Sequence, residues 1–243
     1  MSVISRIRRR IHSTTEVAPD VYQLAIRGVN VFLIVEEKLT LIDTGLRGST
    51  NQITDIIRHL GRSPEEISLI ILTHNHIDHL GGLARLKQLT QARVAIHKTD
   101  IGIRKDLPSD SGVKHWLPLP KVTSSLRSVF SVKISDVDIQ LEGGEVLEPL
   151  GGLAVIHTPG HTPGSISLFS PQHKLLIVGD AMRKRHKTIR MPPKMASSDL
   201  TQALESVKKL ARLDFNTICF GHGLPVSDDV HTRLQDLLER NKD

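Results

Sequence analysis

Cysteine is nearly absent. The chain of 243 residues holds one, Cys219, so no internal disulfide can form. Thiolate-rich zinc fingers and iron–sulfur sites are excluded as well. Aromatic residues make up 3% of the chain, too few for the stacking platforms that hold single-stranded nucleic acid. No apolar run approaches the roughly 18 residues of a membrane-spanning helix, so no membrane partner is expected. Arg6, Arg8, Arg9 and Arg10 precede the first acid, Glu16, without the apolar core of a secretory signal. This stretch reads as an exposed edge segment of a cytoplasmic, reduced protein. A Gly-x-Ser-x-Gly nucleophile elbow is also missing.

What is present points elsewhere. Apolar residues make up 39%, enough for a sizeable core without a metal to fold it. The length fits one domain over residues 1–243. Thirteen histidines are a high count and the first sign of metal chemistry. Val-, Ile- and Leu-rich runs predict strands over 17–26, 29–36, 38–42, 67–72, 93–97, 145–149, 153–157, 165–170, 174–179 and 215–220. Helical periodicity predicts helices over 50–60, 80–90, 198–212 and 228–241. Leu200, Leu204, Val207 and Leu210 mark the third helix, with Ser197 or Ser198 as its N-cap. Two sets of strands, each followed by helices, predict an α/β architecture of two sheets covered by helices on their outer faces. Residues 100–144, broken by Pro108, Gly112, Pro118 and Pro120 and holding Trp116, read as an irregular insertion or lid.

The densest feature is Thr73-His74-Asn75-His76-Ile77-Asp78-His79-Leu80-Gly81-Gly82. It follows a buried-strand pattern and precedes a helical one. Alternate residues of an extended chain face one way, so His74 and His76 project together. A tight turn then brings Asp78 and His79 nearby, and Gly81-Gly82 lets backbone approach closely. Four further strand ends carry a ligand-type residue: Asp43, His161 in a turn framed by Pro and Gly, Asp180, and His222 between glycines. An Asp after a strand is more often a turn former, and each of these is weak alone. Their order is what makes them specific. Cys219 reads as a small core residue, and His97, His115, His157 and His173 have no motif role.

In order and spacing these five motifs resemble the metallo-β-lactamase-fold hydrolases, from the Asn30–Asp43 strands to the Phe220–Pro225 turn. The resemblance implies an αββα sandwich, two mixed sheets packed face to face with the metal site along one edge. It implies that His74, His76 and His161 bind one ion, that Asp78, His79 and His222 bind another, and that Asp180 bridges both. Asp43 would stand behind the ligands and orient an imidazole. Two divalent ions are implied, Zn²⁺ first, with Fe²⁺ or Mn²⁺ also suited to imidazole and carboxylate. A hydroxide shared by the two ions would attack a carbonyl carbon or phosphorus, with Asp78 orienting it or shuttling a proton.

The substrate is less legible. Residues 183–194 hold six Lys or Arg and no acid, and without them the net charge of +6 falls to zero. Such a run is usually a solvated face. Directly after Asp180, it would also suit Arg183, Arg185 and Arg190, with Trp116, to hold an anionic small molecule. Met182, Met191, Pro192 and Pro193 would add an apolar wall. The expected reaction is hydrolysis of a small ester, lactone, thioester, amide or phosphoester. Two alternatives stay open: a mononuclear iron dioxygenase acting on a persulfide, which shares the same motif text, and a nuclease or nucleotide phosphodiesterase using the basic run. A homodimer is compatible with the sequence.

Overall fold

Alternation of side chains along the strands builds three apolar layers. Val31, Leu33 and Leu41 point to one face of their sheet, while Phe32, Ile34 and Ile42 point to the other. A strand buried on both faces must lie between two layers. The computed structural model describes residues 14–102 and 136–242. Trp116, His115, the N-terminal arginines and most of the expected insertion lie outside the described residues.

The first sheet has seven strands in sequence order. They are β1 (Thr14–Ala18), β2 (Val21–Ile26), β3 (Val29–Val35), β4 (Leu39–Ile42), β5 (Ile67–Ile71), β6 (Arg93–His97) and β7 (Ile139–Leu141). Pairing is antiparallel from β1 to β4 and parallel from β4 to β7. Helix α1 (Thr50–His59) joins β4 to β5. The short α2 (Ile77–Leu80) and then α3 (Leu83–Thr90) join β5 to β6. Ile53, Ile56, Ile57, Leu83 and Leu86 bury these helices against the sheet's outer face.

The second sheet runs β14-β11-β10-β9-β8. Its strands are β8 (Val146–Leu147), β9 (Leu153–His157), β10 (Ile166–Ser170), β11 (Leu175–Ile177) and β14 (Thr217–Cys219). Strands β12 (Arg183–Arg185) and β13 (Thr188–Arg190) form a separate hairpin. Leu175, Ile177 and Cys219 face the first sheet, while Leu176, Val178 and Ile218 face α4 (Leu200–Leu210) and α5 (Val230–Glu239). The architecture is therefore an αββα sandwich of two mixed sheets. Among the described residues, no helix is long and apolar enough to cross a membrane.

The structure corrects several expected elements. The 17–26 run is two strands, turned at Pro19-Asp20, where Asp20 adopts φ +62°. The helix expected over 80–90 is split, because His76 to Gly82 must turn tightly around the site. Residues 139–141 form β7, and Asp100 is buried in a 3₁₀ turn (Lys98–Asp100), so the 100–144 stretch is ordered at both ends. Asp199, not Ser197 or Ser198, caps α4, its carboxylate accepting from Gln202 N at 3.0 Å. The two serine hydroxyls donate instead to the carbonyls of Pro193 and His161.

Candidate metal centre

Strand β5 delivers the first ligands. The chain stays extended past Ile71, so His74 and His76 emerge on one side with ring centroids 4.7 Å apart. His76 then caps α2, its carbonyl accepting from His79 N and Leu80 N at 3.0 Å each. That single turn swings Asp78 and His79 back toward His74, whose ring lies 4.2 Å from that of His79. The turn needs glycine: a Cβ on Gly82 would sit 2.5 Å from the Thr44 carbonyl oxygen, and one on Gly81 would sit 2.5 Å from Arg47 N.

Asp43 stands behind these residues, 1% exposed. Its Oδ1 accepts from Thr73 N at 2.8 Å, and its Oδ2 accepts from Thr73 Oγ1 at 2.8 Å and His79 Nδ1 at 2.7 Å. Because Thr73 spends its only hydroxyl proton on Asp43, its oxygen accepts from His74 Nδ1, 3.0 Å away. The same logic holds across the site. Ser197 Oγ donates to the Pro193 carbonyl and so accepts from His161 Nδ1 at 3.3 Å. The Gly28 carbonyl accepts from His222 Nδ1 at 2.8 Å. Each of these four rings thereby turns Nε2 toward the centre, the form a cation requires.

The second sheet supplies the rest. His161 lies between β9 and β10, Asp180 follows β11, and His222 follows β14. Asp180 Oδ1 is 3.6 Å from His79 Nε2, while its Oδ2 is 3.5 Å from His161 Nε2 and 3.4 Å from His222 Nε2. His222 Nε2 is 3.3 Å from Asp78 Oδ2. Three groups emerge whose ligand atoms lie within 4.8 Å of one another: His74-His76-His161, His74-His79-Asp180 and Asp78-His79-His222. All seven residues singled out in the sequence thus converge, with Asp180 between two clusters. Gly221 makes room, since a Cβ there would collide with Asp180 Oδ1.

The donor set fits divalent ions. Ligand atoms about 2.1 Å from one tetrahedral ion stand roughly 3.4 Å apart, the spacing seen around Asp180. Among the described residues, His74 Nε2, His79 Nε2 and Asp180 Oδ1 are buried with no hydrogen-bond partner. Buried polar atoms are rarely left so unless a further ligand meets them. Electrostatics agree. Burial, then the neighbouring imidazoles, hold His74 well below the usual histidine range. Burial opposes charge on His79, but Asp43 and Asp180 outweigh it and push its pKa up to about 9. Burial is likewise outweighed at His222, where Asp180 and Asp78 push it up to about 11. Asp180 is held well below the carboxylate range by His79 and His222 against the opposing effect of burial.

A cleft of about 510 Å³ opens over this cluster, lined by His76, Asp78, His161, Asp180, His222 and the basic hairpin. Arg183, Lys184 and Arg185 form one wall, and Pro192 and Pro193 another. Arg183 Nε is buried with no hydrogen-bond partner among the described residues. Arg190 pairs with Arg183 in the hairpin register but is exposed, and its Nε donates to Thr188 Oγ1. It does not line the cleft. Met182 and Met191 pack into the core under α4 and α5, not into the cleft wall. Cys219 is fully buried, and burial pushes its thiol up.

The family profile described as "Metallo-beta-lactamase superfamily" matches residues 25–222. The chain belongs to the metallo-beta-lactamase superfamily. It is 32% identical over 209 residues to an uncharacterized protein, YobT, of Bacillus subtilis (strain 168), covering 82% of this chain and 84% of that one. It is 28% identical over 235 residues to the probable metallo-hydrolase YflN of the same organism, covering 87% of each. Its fold matches a metallo-beta-lactamase family protein of Thermus thermophilus with a TM-score of 0.70 and 25% identity, covering 93% of this chain and 80% of that one. Superfamily membership and the likeness to a probable metallo-hydrolase are consistent with metal-dependent hydrolysis.

Several residues that shape the site gave no sequence signal as ligands. Asn30 Nδ2 donates to the carbonyls of Phe220 at 2.8 Å and Gly223 at 2.7 Å, pinning the His222 loop from the opposite sheet. Gln23 Nε2 adds a bond to Gly223 at 3.0 Å. Both are polar residues at buried strand positions, and that mismatch was the available signal. His97 and His157, given no motif role, stack with centroids 4.0 Å apart.

Proposed function

We propose that the protein is a two-metal hydrolase of a small anionic ester, lactone, thioester, amide or phosphoester. The observation that carries this reading is the pair of ligand clusters meeting at Asp180. His74, His76 and His161 would hold one ion, and Asp78, His79 and His222 the other, with Asp180 between them. Zinc is the expected ion, with iron or manganese equally suited to imidazole and carboxylate and no thiolate to narrow the choice. The chemistry supplied there, once loaded, is a lowered water pKa and a polarised carbonyl or phosphoryl oxygen.

The chain's own residues do the remainder. Asp78, partly open to the cleft at 29% exposure, is placed to hold a proton arriving from the attacking water. The buried Arg183 Nε and the neighbouring Arg185 would seat a carboxylate or phosphate of the substrate. Pro192 and Pro193 would cover its apolar part and exclude water. The test is elemental analysis of protein purified without chelator. Near two Zn, Mn or Fe per chain supports the reading. One Fe per chain, with oxygen uptake on a persulfide, would replace it by sulfur oxidation. Full activity in His76→Ala or Asp180→Ala protein would sink the metal mechanism.

A further inference from the structure

The first ligand cluster is assembled from both sheets. His74 and His76 follow β5 in the seven-stranded sheet, and His161 sits between β9 and β10 in the five-stranded one. Some third element must hold the two loops in register. Asp100, at the end of the turn after β6, occupies that place and is 1% exposed. Its Oδ2 accepts from Asn75 N at 3.0 Å and Thr162 Oγ1 at 2.7 Å, and its Oδ1 accepts from Gly164 N at 2.8 Å. Its main-chain carbonyl accepts from Asn75 Nδ2 at 3.0 Å. Asn75 separates His74 from His76, and Thr162 follows His161. The approach is close enough that a Cβ on Gly164 would lie 2.6 Å from Asp100 Cγ. One carboxylate therefore ties together the two segments that carry all three ligands, through residues that flank them. The other cluster has a different anchor, since Asn30 holds the His222 loop.

We infer that Asp100 is a positioning residue that sets the divalent-ion affinity of the His74-His76-His161 cluster independently of the Asp78-His79-His222 cluster. This rests on the two-ion reading above. A carboxylate accepting from three donors is not replaced by an amide, because Asn would turn an NH₂ toward one of them. Thr162→Val removes one donor and keeps nearly the same shape.

The experiment is a Co²⁺ titration of the chelator-stripped full chain, followed by visible absorption with a competing chelator. His76→Ala and His222→Ala proteins assign the two phases. Asp100→Asn is expected to weaken the first-cluster phase by roughly 10–100-fold and leave the second within about threefold. Thr162→Val should show a smaller loss in the same phase, and Asn30→Ala the reciprocal pattern. If Asp100→Asn does not fold, Thr162→Val decides. Equal weakening of both phases, or of neither, overturns the inference, because a merely structural role would not choose between clusters. A wild type that takes up a single ion overturns the two-ion reading instead. Asp100 is then supported if that ion's affinity falls in Asp100→Asn and Thr162→Val but stays within about threefold in Asn30→Ala, and overturned by any other pattern.

Discussion

Asp43 adopts φ +60°, a conformation that Asp and Asn tolerate better than other non-glycine residues. Its carboxylate accepts from Thr73 and His79, and through Thr73 it reaches His74. Asp43→Asn keeps the backbone preference and removes one acceptor, so it isolates the electrostatic role. It should weaken both ion sites roughly 10–100-fold and destabilise the chelated protein by about 1–3 kcal/mol through an unmet buried donor. Metal competition and urea denaturation check the two effects, and unchanged ion affinity would show that Asp43 is only a turn former. At this scale the candidate ligands were legible because four of them fall within the six residues His74 to His79 and the remaining strand-end motifs follow in a specific order. Asn30, Asp100 and Ser197 were not, because a lone polar residue shows its partners only once distant loops are brought together.

Elements were legible where burial repeats and illegible where it does not. Strands β3, β4 and β5 are apolar runs that the sandwich buries on both faces. The hairpin β12–β13 escaped because its strands, Arg-Lys-Arg and Thr-Ile-Arg, carry no apolar alternation. Its turn uses His186 at φ +54° in place of the usual Asn-Gly. Helix α4 turns its buried face to Ala203, Ser206, Val207 and Leu210, one step round from the stripe read in the sequence. The hairpin carries a prediction of its own. Lys184 Nζ donates to the Pro225 carbonyl at 3.3 Å, which leaves Arg183 and Arg185 for the cleft. Arg183→Met keeps the apolar stem and deletes the charge. KM for a carboxylate- or phosphate-bearing substrate should rise roughly tenfold, in line with loss of a charge-assisted bond, while kcat stays within about twofold. Steady-state kinetics on charged and neutral analogues measures this. An equal KM change for the neutral analogue would mean the hairpin shapes the cleft without reading charge.

At the scale of the whole molecule, the site joins the two sheets, so ion binding and folding are linked. Ions at roughly 1,000 times their Kd stabilise by about 4 kcal/mol, and chelation should lower the melting temperature. The pH dependence separates this from generic destabilisation. In the chelated protein His79 is pushed up to about 9 by Asp43 and Asp180 against burial, while an unfolded histidine titrates near 6.5. A raised pKa contributes stability that is fully present below about pH 6.5 and is lost as pH rises through 9. His222, pushed up to about 11, acts in the same direction over a wider window, though solvent screens its more exposed ring. Asp180, held low, contributes only above about pH 4 and loses that contribution as pH falls. Ion binding has the opposite slope, because the same imidazoles must shed their protons first. The gap in melting temperature between loaded and chelated protein should therefore widen from pH 6 to pH 9. Melts at pH 6, 7.5 and 9 measure it. A gap that narrows with pH would mean that His79 does not carry a proton in the metal-free fold, and that Asp43 orients a ring already neutral.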